Sequence, residues 1–151
     1  MTRSERMQPV RKFSGATEKR EAGQLAATED RLAECERKLA ELRLYEQEYR
    51  KGFNSRVSVG MGGGGVRDYQ QFLARLSEAI RQQMQLVAVA RAERDAQQGQ
   101  WREAATRNKA IDHVVENWKT EERRHVERHE QRESDQRAQR KTPERTDKAA
   151  S

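Results

Sequence analysis

The stretch Arg56–Gln70, RVSVGMGGGGVRDYQ, decides the fold of this chain because its glycines separate two long helical patterns. The two prolines, Pro9 and Pro143, lie near the ends and leave the rest of the sequence free to form helix. Glycine accommodates the positive φ angles that a chain reversal needs. We therefore predict two helices joined by a turn, with approximate bounds of 14–54 for the first helix, 55–65 for the turn, 66–138 for the second helix and 139–151 for a flexible tail.

The same glycines contain a nucleotide-binding pattern that the surrounding sequence does not support. Gly60, Gly62 and Gly65 have the spacing G-x-G-x-x-G. A dinucleotide-binding loop needs a parallel sheet and an acidic residue after a second strand, whereas residues with a helical period follow this stretch. A phosphate-binding loop needs Gly-Lys-Ser/Thr, and Val66-Arg67-Asp68 stands there instead. We therefore interpret the glycines as a turn.

Apolar residues on both sides of the glycines recur at alternating spacings of three and four, the heptad pattern of a coiled coil. In the first helix the a and d positions hold Leu25, Leu32, Cys35, Leu39, Leu42, Tyr49 and Phe53, with Thr28 and Glu46 as polar exceptions. In the second helix they hold Val66, Tyr69, Leu73, Leu76, Ile80, Val87, Ala90, Trp101, Ala104, Ile111, Val115 and Trp118, with Gln83, Arg94, Gln97 and Asn108 as polar exceptions.

A short connection makes neighbouring helices antiparallel. We therefore predict an all-α fold, a long antiparallel two-helix coiled coil (αα-hairpin) with a glycine-rich turn and an extended C-terminal helix. We treat residues 1–151 as a single coiled-coil hairpin.

The composition favours a narrow seam over a broad core, and a binding protein over an enzyme. Apolar residues make up 33% of the chain and charged residues 37%, against averages of roughly 45–50% and 25%. A bare two-helix hairpin offers no concave, partly desolvated site for acid–base catalysis. His125 and His129 are one helical turn apart but lack a third ligand, so we interpret them as part of a solvated face. We therefore expect no catalytic residues, no cofactor and no metal.

The single cysteine and the lack of a long apolar run indicate a cytoplasmic protein. Cys35 cannot form an intrachain disulfide, which suits a reducing compartment, and we interpret it as a small buried hydrophobe. No apolar run approaches the roughly 20 residues that span a bilayer, and no signal peptide is recognisable. We expect the protein to reach a membrane only by binding a partner there.

Basic residues are concentrated near the N-terminus. The chain carries 31 Lys and Arg against 25 Asp and Glu, a formal charge of +6, with both signs interleaved along most of its length. Within residues 1–20 only Glu5 and Glu18 oppose the basic residues Arg3, Arg6, Arg11, Lys12, Lys19 and Arg20. Such an arm binds nucleic acid, anionic lipid or an acidic protein surface, or it is a solvated, frayed terminus.

An apolar stripe on the second helix continues past the predicted start of the first helix. With these bounds, the second helix has no partner within the chain beyond about Lys109. Ile111, Val115 and Trp118 nevertheless keep the a/d pattern there. An exposed stripe that includes a tryptophan is typical of a protein-binding surface, so we predict that these residues contact another protein or a second copy of the chain.

Aromatic residues near the turn form another candidate surface. Tyr45 falls at position g of the first helix, and Phe72, Ala79 and Leu86 fall at g of the second. In an antiparallel pair these edges lie on one flank, which brings Tyr45 and Tyr49 level with Phe72. We predict an apolar strip of Tyr45, Tyr49, Phe72 and Ala79, which is either a widened core or a docking face for a partner.

The pattern around the turn resembles the FliJ family of the bacterial flagellar export apparatus. The resemblance rests on Leu42-x-x-Tyr45-x-x-x-Tyr49 and on Tyr69-x-x-Phe72-Leu73-x-x-Leu76-x-x-Ala79-Ile80-x-x-Gln83. Trp101 and the charged run Glu127–Arg140 fit as well, so the resemblance covers roughly residues 7–140.

The resemblance implies a fold and a set of partners. Family members are antiparallel coiled coils similar to the central stalk subunit of rotary ATPases, with terminal ends in the hexameric ring of the flagellar export ATPase. Their tip region engages the cytoplasmic domain of the export-gate membrane protein, which helps couple ATP hydrolysis and proton motive force to export, and the family is linked to the cycling of export chaperones. Carried over residue by residue, the export-gate face comprises Leu42, Tyr45, Tyr49, Phe72, Leu76, Ala79 and Gln83. Ile111, Val115 and Trp118 then form the seam for the ATPase ring or another partner.

The family hypothesis makes the chain a cytoplasmic protein peripheral to the inner membrane, serving flagellum biogenesis and motility. We expect it to bind no nucleic acid and to insert no segment into the membrane. Two features depart from the family pattern: the glycine run is longer than expected, and Gly15 and Gly23 weaken the first helix by about 1 kcal/mol each relative to alanine. The alternatives are a nucleic-acid-binding helical hairpin and an equivalent stalk protein of a virulence type III secretion system.

Overall fold

The computed structural model describes residues 1–60 and 62–141, and within these ranges it contains two long helices and no strand. Helix α1 is Arg3–Val59 and helix α2 is Gly63–Lys141. The two helices pack together as a helical hairpin, which confirms the predicted all-α fold.

The helices pack against each other in two compact units. Met1–Ala16 and the part of α2 from Thr106 onward form one, which we call the terminal unit, and Thr17–Ala105 forms the other, which we call the turn unit. In the turn unit the Gln97 side chain donates a hydrogen bond to Glu21, and the Gln83 side chain donates one to Cys35. The earlier residue of α2 therefore contacts the later residue of α1, as in antiparallel helices. The assignment of residues 1–151 to a single hairpin domain stays a prediction.

The turn unit is built on the predicted apolar seam. Its buried core consists of Leu32, Val87 and Ala90, with Cys35 and Leu39 packed against it. Two polar residues of the seam are buried, and the side chain of each donates a hydrogen bond to a backbone carbonyl. Gln83 Nε2 donates to the carbonyl of Cys35 (3.0 Å), and Thr28 Oγ1 donates to the carbonyl of Leu25 (2.7 Å). Because buried polar groups are tolerated when they are hydrogen-bonded, these two side chains do not break the seam.

Helix α1 begins at Arg3, whereas we predicted a start near residue 14. A capping box that the sequence analysis missed accounts for the early start. The amide of Glu5 donates to Thr2 Oγ1 (3.3 Å), and the Glu5 carboxylate accepts from the amide of Thr2 (3.1 Å). Arg6 then donates its amide to the carbonyl of Thr2 (3.1 Å). The T-x-x-E spacing of residues 2–5 was the sequence signal for this helix start.

The break between the helices is shorter than the predicted turn of 55–65. Helix α1 continues to Val59, and the glycines from Gly63 onward already belong to α2. Gly60 has a φ of +97°, a left-handed conformation that glycine adopts without steric cost. The amide of Gly65 donates to the carbonyl of Gly62 (3.0 Å) at the start of α2. Met61 lies outside the described residues.

Helix α2 continues to Lys141 instead of ending near residue 138. Every side chain from residue 123 to residue 141 is exposed. The fully exposed end of α2 is therefore shorter than predicted, because we expected α2 to lack a partner from about Lys109 onward. Of the predicted flexible tail, residues 139–141 are helical and residues 142–151 lie outside the described residues.

Candidate partner-binding surfaces

Aromatic rings from both helices pack together in the turn unit, and we call Tyr45, Tyr49, Phe53, Tyr69 and Phe72 the aromatic cluster. The centroid of the Phe72 ring lies 4.3 Å from that of Tyr49 and 5.9 Å from that of Tyr45. The Tyr69 ring stacks on Phe53 at 3.5 Å and on Tyr49 at 5.3 Å. Aromatic pairs contribute about 0.5–1.5 kcal/mol each beyond the area they bury. The cluster therefore stabilises the pairing of the helices close to the turn.

The predicted export-gate residues differ in exposure. Tyr45 is 49% exposed. The half-buried members are Leu42, Tyr49, Phe72 and Ala79. Leu76 and Gln83 are buried, with 6% and 9% of their surface exposed. The structure therefore brings Tyr45, Tyr49 and Phe72 together at the surface, while Leu76 and Gln83 lie between the helices. The role of these residues in binding a partner stays a prediction.

An open groove of about 430 Å³ lies beside the aromatic cluster. Its apolar wall is formed by Tyr45, Tyr49, Phe53 and Tyr69, and its rim carries Glu48, Arg56 and Asp68. Gly52 and Gly65 also line it, and a Cβ on Gly52 would meet no atom within 4 Å. This groove was not predicted from the sequence. The one feature of the sequence that pointed to it was Gly52, a residue without a side chain beside Phe53 in an otherwise helical pattern.

In the terminal unit, the stripe that we predicted to be unpaired is covered by α1. Val115 is fully buried, with 0% of its surface exposed, and Ile111 and Trp118 are half-buried. The Arg3 guanidinium lies 5.1 Å from the centre of the Trp118 ring, within the range of a cation–π contact. The prediction of an unpaired stripe was wrong because α1 begins at Arg3 and supplies the missing partner. Whether these three residues also contribute to a partner interface stays a prediction.

A carboxylate of α2 caps the first turn of α1. The Ser4 amide and hydroxyl both donate to the Glu122 carboxylate, at 3.1 and 2.5 Å. The first amides of a helix have no partner within the helix, and its N-terminus favours negative charge. These hydrogen bonds from Ser4, with a smaller contribution from the Arg3 charge, hold the pKa of Glu122 below its ordinary value. This contact was not predicted because the first helix was expected to begin only near residue 14.

Acidic residues of α2 partly neutralise the basic N-terminal arm. Arg11 Nε lies 2.7 Å from Asp112, and Arg11 Nη1 lies 3.4 Å from Glu116. Arg3 lies 3.7 Å from Glu121. A nucleic-acid-binding arm needs cations that face the phosphates without competing carboxylates. This pairing therefore disfavours the nucleic-acid hypothesis.

The residues considered for chemistry do not assemble into a site. His129 contacts Glu133 at 3.2 Å on an exposed helical surface. No cluster of three or more histidine, cysteine or acidic side chains able to hold a metal occurs among residues 1–60 and 62–141. Cys35 is a half-buried free thiol in the seam.

The family model of the flagellar FliJ protein matches residues 3–145. The chain belongs to the FliJ family. Neither the curated proteins nor the solved structures contain a significant match to it. Membership makes this FliJ-family chain a component of the flagellar export apparatus, and the family is one of structural export components, not of known enzymes. No helix in the described part of the chain is long and apolar enough to cross a membrane.

Proposed function

We propose that this FliJ-family protein is a stalk-like rod that links the flagellar export ATPase ring to the export gate and promotes export of flagellar proteins. The observation that carries the proposal is the aromatic cluster, whose outermost ring, Tyr45, is 49% exposed. Large aromatic side chains at a surface are the usual anchors of protein–protein contacts. The chain has only 5% aromatic residues, and they are concentrated beside the turn. The protein would act in the cytoplasm, at the inner-membrane face of the apparatus.

The export-gate face is formed by the exposed and half-buried members of the predicted set. Tyr45 and Phe72 make an edge-on pair, with ring planes at 78°, that leaves part of both rings open to a partner. Leu76 and Gln83 act from beneath as supports. The hydrogen bond from Gln83 to the Cys35 carbonyl fixes α2 against α1 where this face begins.

The ATPase-ring contact belongs to the terminal unit. Its helices are paired through Val115 and the contact between Ser4 and Glu122, and its exposed part continues over residues 123–141. Ile111 and Trp118 are half-buried and offer part of their apolar surface to the ring. Export chaperones would form a third class of partner.

The test measures binding of the purified chain to the cytoplasmic domain of the export gate and, separately, to the export ATPase. The double variant Tyr45→Ala/Phe72→Ala should lose at least about tenfold in affinity for the gate domain, as expected for aromatic anchors, and keep its affinity for the ATPase. The matched control is Met84→Ala, which removes another half-exposed apolar side chain of the turn unit (48% exposed).

Two results would contradict this proposal. Gate affinity that is unchanged in the double variant would remove the aromatic cluster from the interface. A large loss of helicity by circular dichroism would show that the cluster is a widened core and not a docking face.

A further inference from the structure

A five-residue run of α2 is apolar on nearly all of its surface. Residues 86–90 read LVAVA. Val87 and Ala90 face α1 and are buried, with 6% and 7% of their surface exposed. Leu86 and Val89 are 54% and 56% exposed. A two-helix seam needs only the two buried positions, so α1 does not account for the apolar side chains that remain at the surface.

Leu86 and Val89 form one wall of an open groove of about 400 Å³ in the turn unit. Cys35 and Ala90 lie in this groove, between the two helices. Its position beside a two-helix seam is suited to a third helix, which would bury Leu86 and Val89 as α1 buries Val87 and Ala90. We call this surface the Leu86 groove. It shares no residue with the predicted export-gate face.

Carboxylates dominate the rim of the Leu86 groove. Asp30, Glu34 and Glu93 line it, against a single guanidinium, Arg31. Glu34 is already paired with Arg37. In the described part of the chain, Asp30 and Glu93 make no ion pair or side-chain hydrogen bond. An acidic rim on a chain whose formal charge is +6 selects for a partner with local positive charge.

We propose that the Leu86 groove binds an amphipathic helix of a partner protein that carries apolar residues at i, i+3 or i+4 and i+7, flanked by Lys or Arg. Apolar side chains at that spacing lie on one helical face and would fill the groove, as in other helix-in-groove contacts. The flanking cations would meet Asp30 and Glu93. A second copy of this chain is a poorer occupant, because a two-fold contact of the groove with itself would set the same carboxylates against each other.

The test uses two synthetic peptides of three heptads with the same leucine a/d positions. One peptide has lysine at e and g, and the other has glutamate there. Fluorescence anisotropy with the full chain should give at least about tenfold tighter binding of the lysine peptide. The variant Leu86→Gln/Val89→Gln should lose about tenfold or more of that affinity, whereas Met84→Gln, at an exposed apolar residue outside the groove, should change it little.

Charge reversal supplies an independent arm of the test. Asp30→Lys/Glu93→Lys should invert the preference, so that the glutamate peptide binds more tightly. Circular dichroism and thermal melting verify that each variant keeps its helices. Equal binding of the two peptides, or full binding to Leu86→Gln/Val89→Gln, would overturn the proposal. So would sedimentation equilibrium that finds a dimer of the native chain dispersed by Leu86→Gln/Val89→Gln, because the groove would then be filled by a second copy.

Discussion

The turn unit and the terminal unit hold portions of the same two helices together by different chemistry. The turn unit buries apolar side chains, Leu32, Leu76, Val87, Ala90 and Ala104. In the terminal unit α1 contributes two buried serines, Ser4 and Ser14, and α2 contributes Val115. Burial of apolar surface stabilises by about 25 cal/mol per Å², whereas one hydrogen bond contributes a net 0.5–1.5 kcal/mol or so. We therefore expect the terminal unit to open first.

Ion pairs do not compensate for the smaller number of buried apolar side chains in the terminal unit. The Arg11 and Asp112 side chains are 31% and 43% exposed, and the Arg3 and Glu121 side chains are 63% and 64% exposed. Pairs at such exposure contribute about 0–1 kcal/mol each and weaken with salt. We therefore expect the start of α1 to be held to α2 less strongly in the terminal unit than the helices are held to each other in the turn unit.

Substitution of one buried residue in each unit should give the largest difference in the free energy of unfolding. Leu32→Ala in the turn unit should lower the free energy of unfolding by about 2–5 kcal/mol, since it removes a buried leucine and leaves a cavity. Val115→Ala in the terminal unit should lower the global value much less, because that unit opens before the global transition. Urea unfolding followed by circular dichroism gives the global value. Hydrogen exchange of residues 3–16 reports the opening of the terminal unit.

Leu44→Ala is the control for the core substitutions. Leu44 is 55% exposed in the turn unit, so its truncation should change stability by only about 0.5 kcal/mol or less. A Val115→Ala variant whose urea midpoint falls as much as that of Leu32→Ala would contradict the earlier opening of the terminal unit. That result would mean that the two units unfold together.

Lowering the pH should have a smaller effect, on the stability of the terminal unit. Because the pKa of Glu122 is lowered in the folded chain by its hydrogen bonds from Ser4, this contact stabilises the terminal unit above the ordinary pKa of a glutamate. The stabilisation is lost as the pH falls from that ordinary value through the lowered one. The protection of the Ser4 amide from hydrogen exchange should therefore fall in this window. Glu122→Gln should remove most of the pH dependence.

A glutamate of the turn unit, Glu78, is the control for the pH experiment. The pKa of Glu78 is also lowered, by the hydrogen bonds that Arg81 donates to it, but both residues belong to α2. Protonation of Glu78 therefore removes no contact between the helices, and the protection of amides near Leu32 should stay constant over the same pH range. Loss of protection in both units together would show that acid acts through total charge and not through Glu122.

The same contrast explains how far the sequence could predict this molecule. The seam of the turn unit was visible because Leu25, Leu32 and Leu39 repeat at heptad spacing, and the packing of Tyr45 against Phe72 followed from their g positions. The terminal unit was missed because α1 contributes polar residues there, so its hydrophobic period vanishes. Its pairing depends on a capping box and on a carboxylate far along the chain. The capping box was recognisable from the T-x-x-E spacing of residues 2–5, whereas the contact between Ser4 and Glu122 becomes recognisable only once the opposing helix is in place.

The smallest effect distinguishes two buried hydroxyls on α1. Thr28 in the turn unit donates to the Leu25 carbonyl at 2.7 Å, whereas Ser14 Oγ in the terminal unit is buried and has no hydrogen-bond partner among the described residues. An unsatisfied buried hydroxyl is destabilising, and its removal restores that free energy. We expect Ser14→Ala to leave the terminal unit equally stable or to stabilise it by up to about 1 kcal/mol, and Thr28→Ala to destabilise the turn unit by about 1 kcal/mol. Hydrogen exchange of each unit measures both changes. A Ser14→Ala variant that opens more readily than the native chain would show that the Ser14 hydroxyl has a polar partner, such as a bound water. The terminal unit would then contain no unsatisfied hydroxyl at this position.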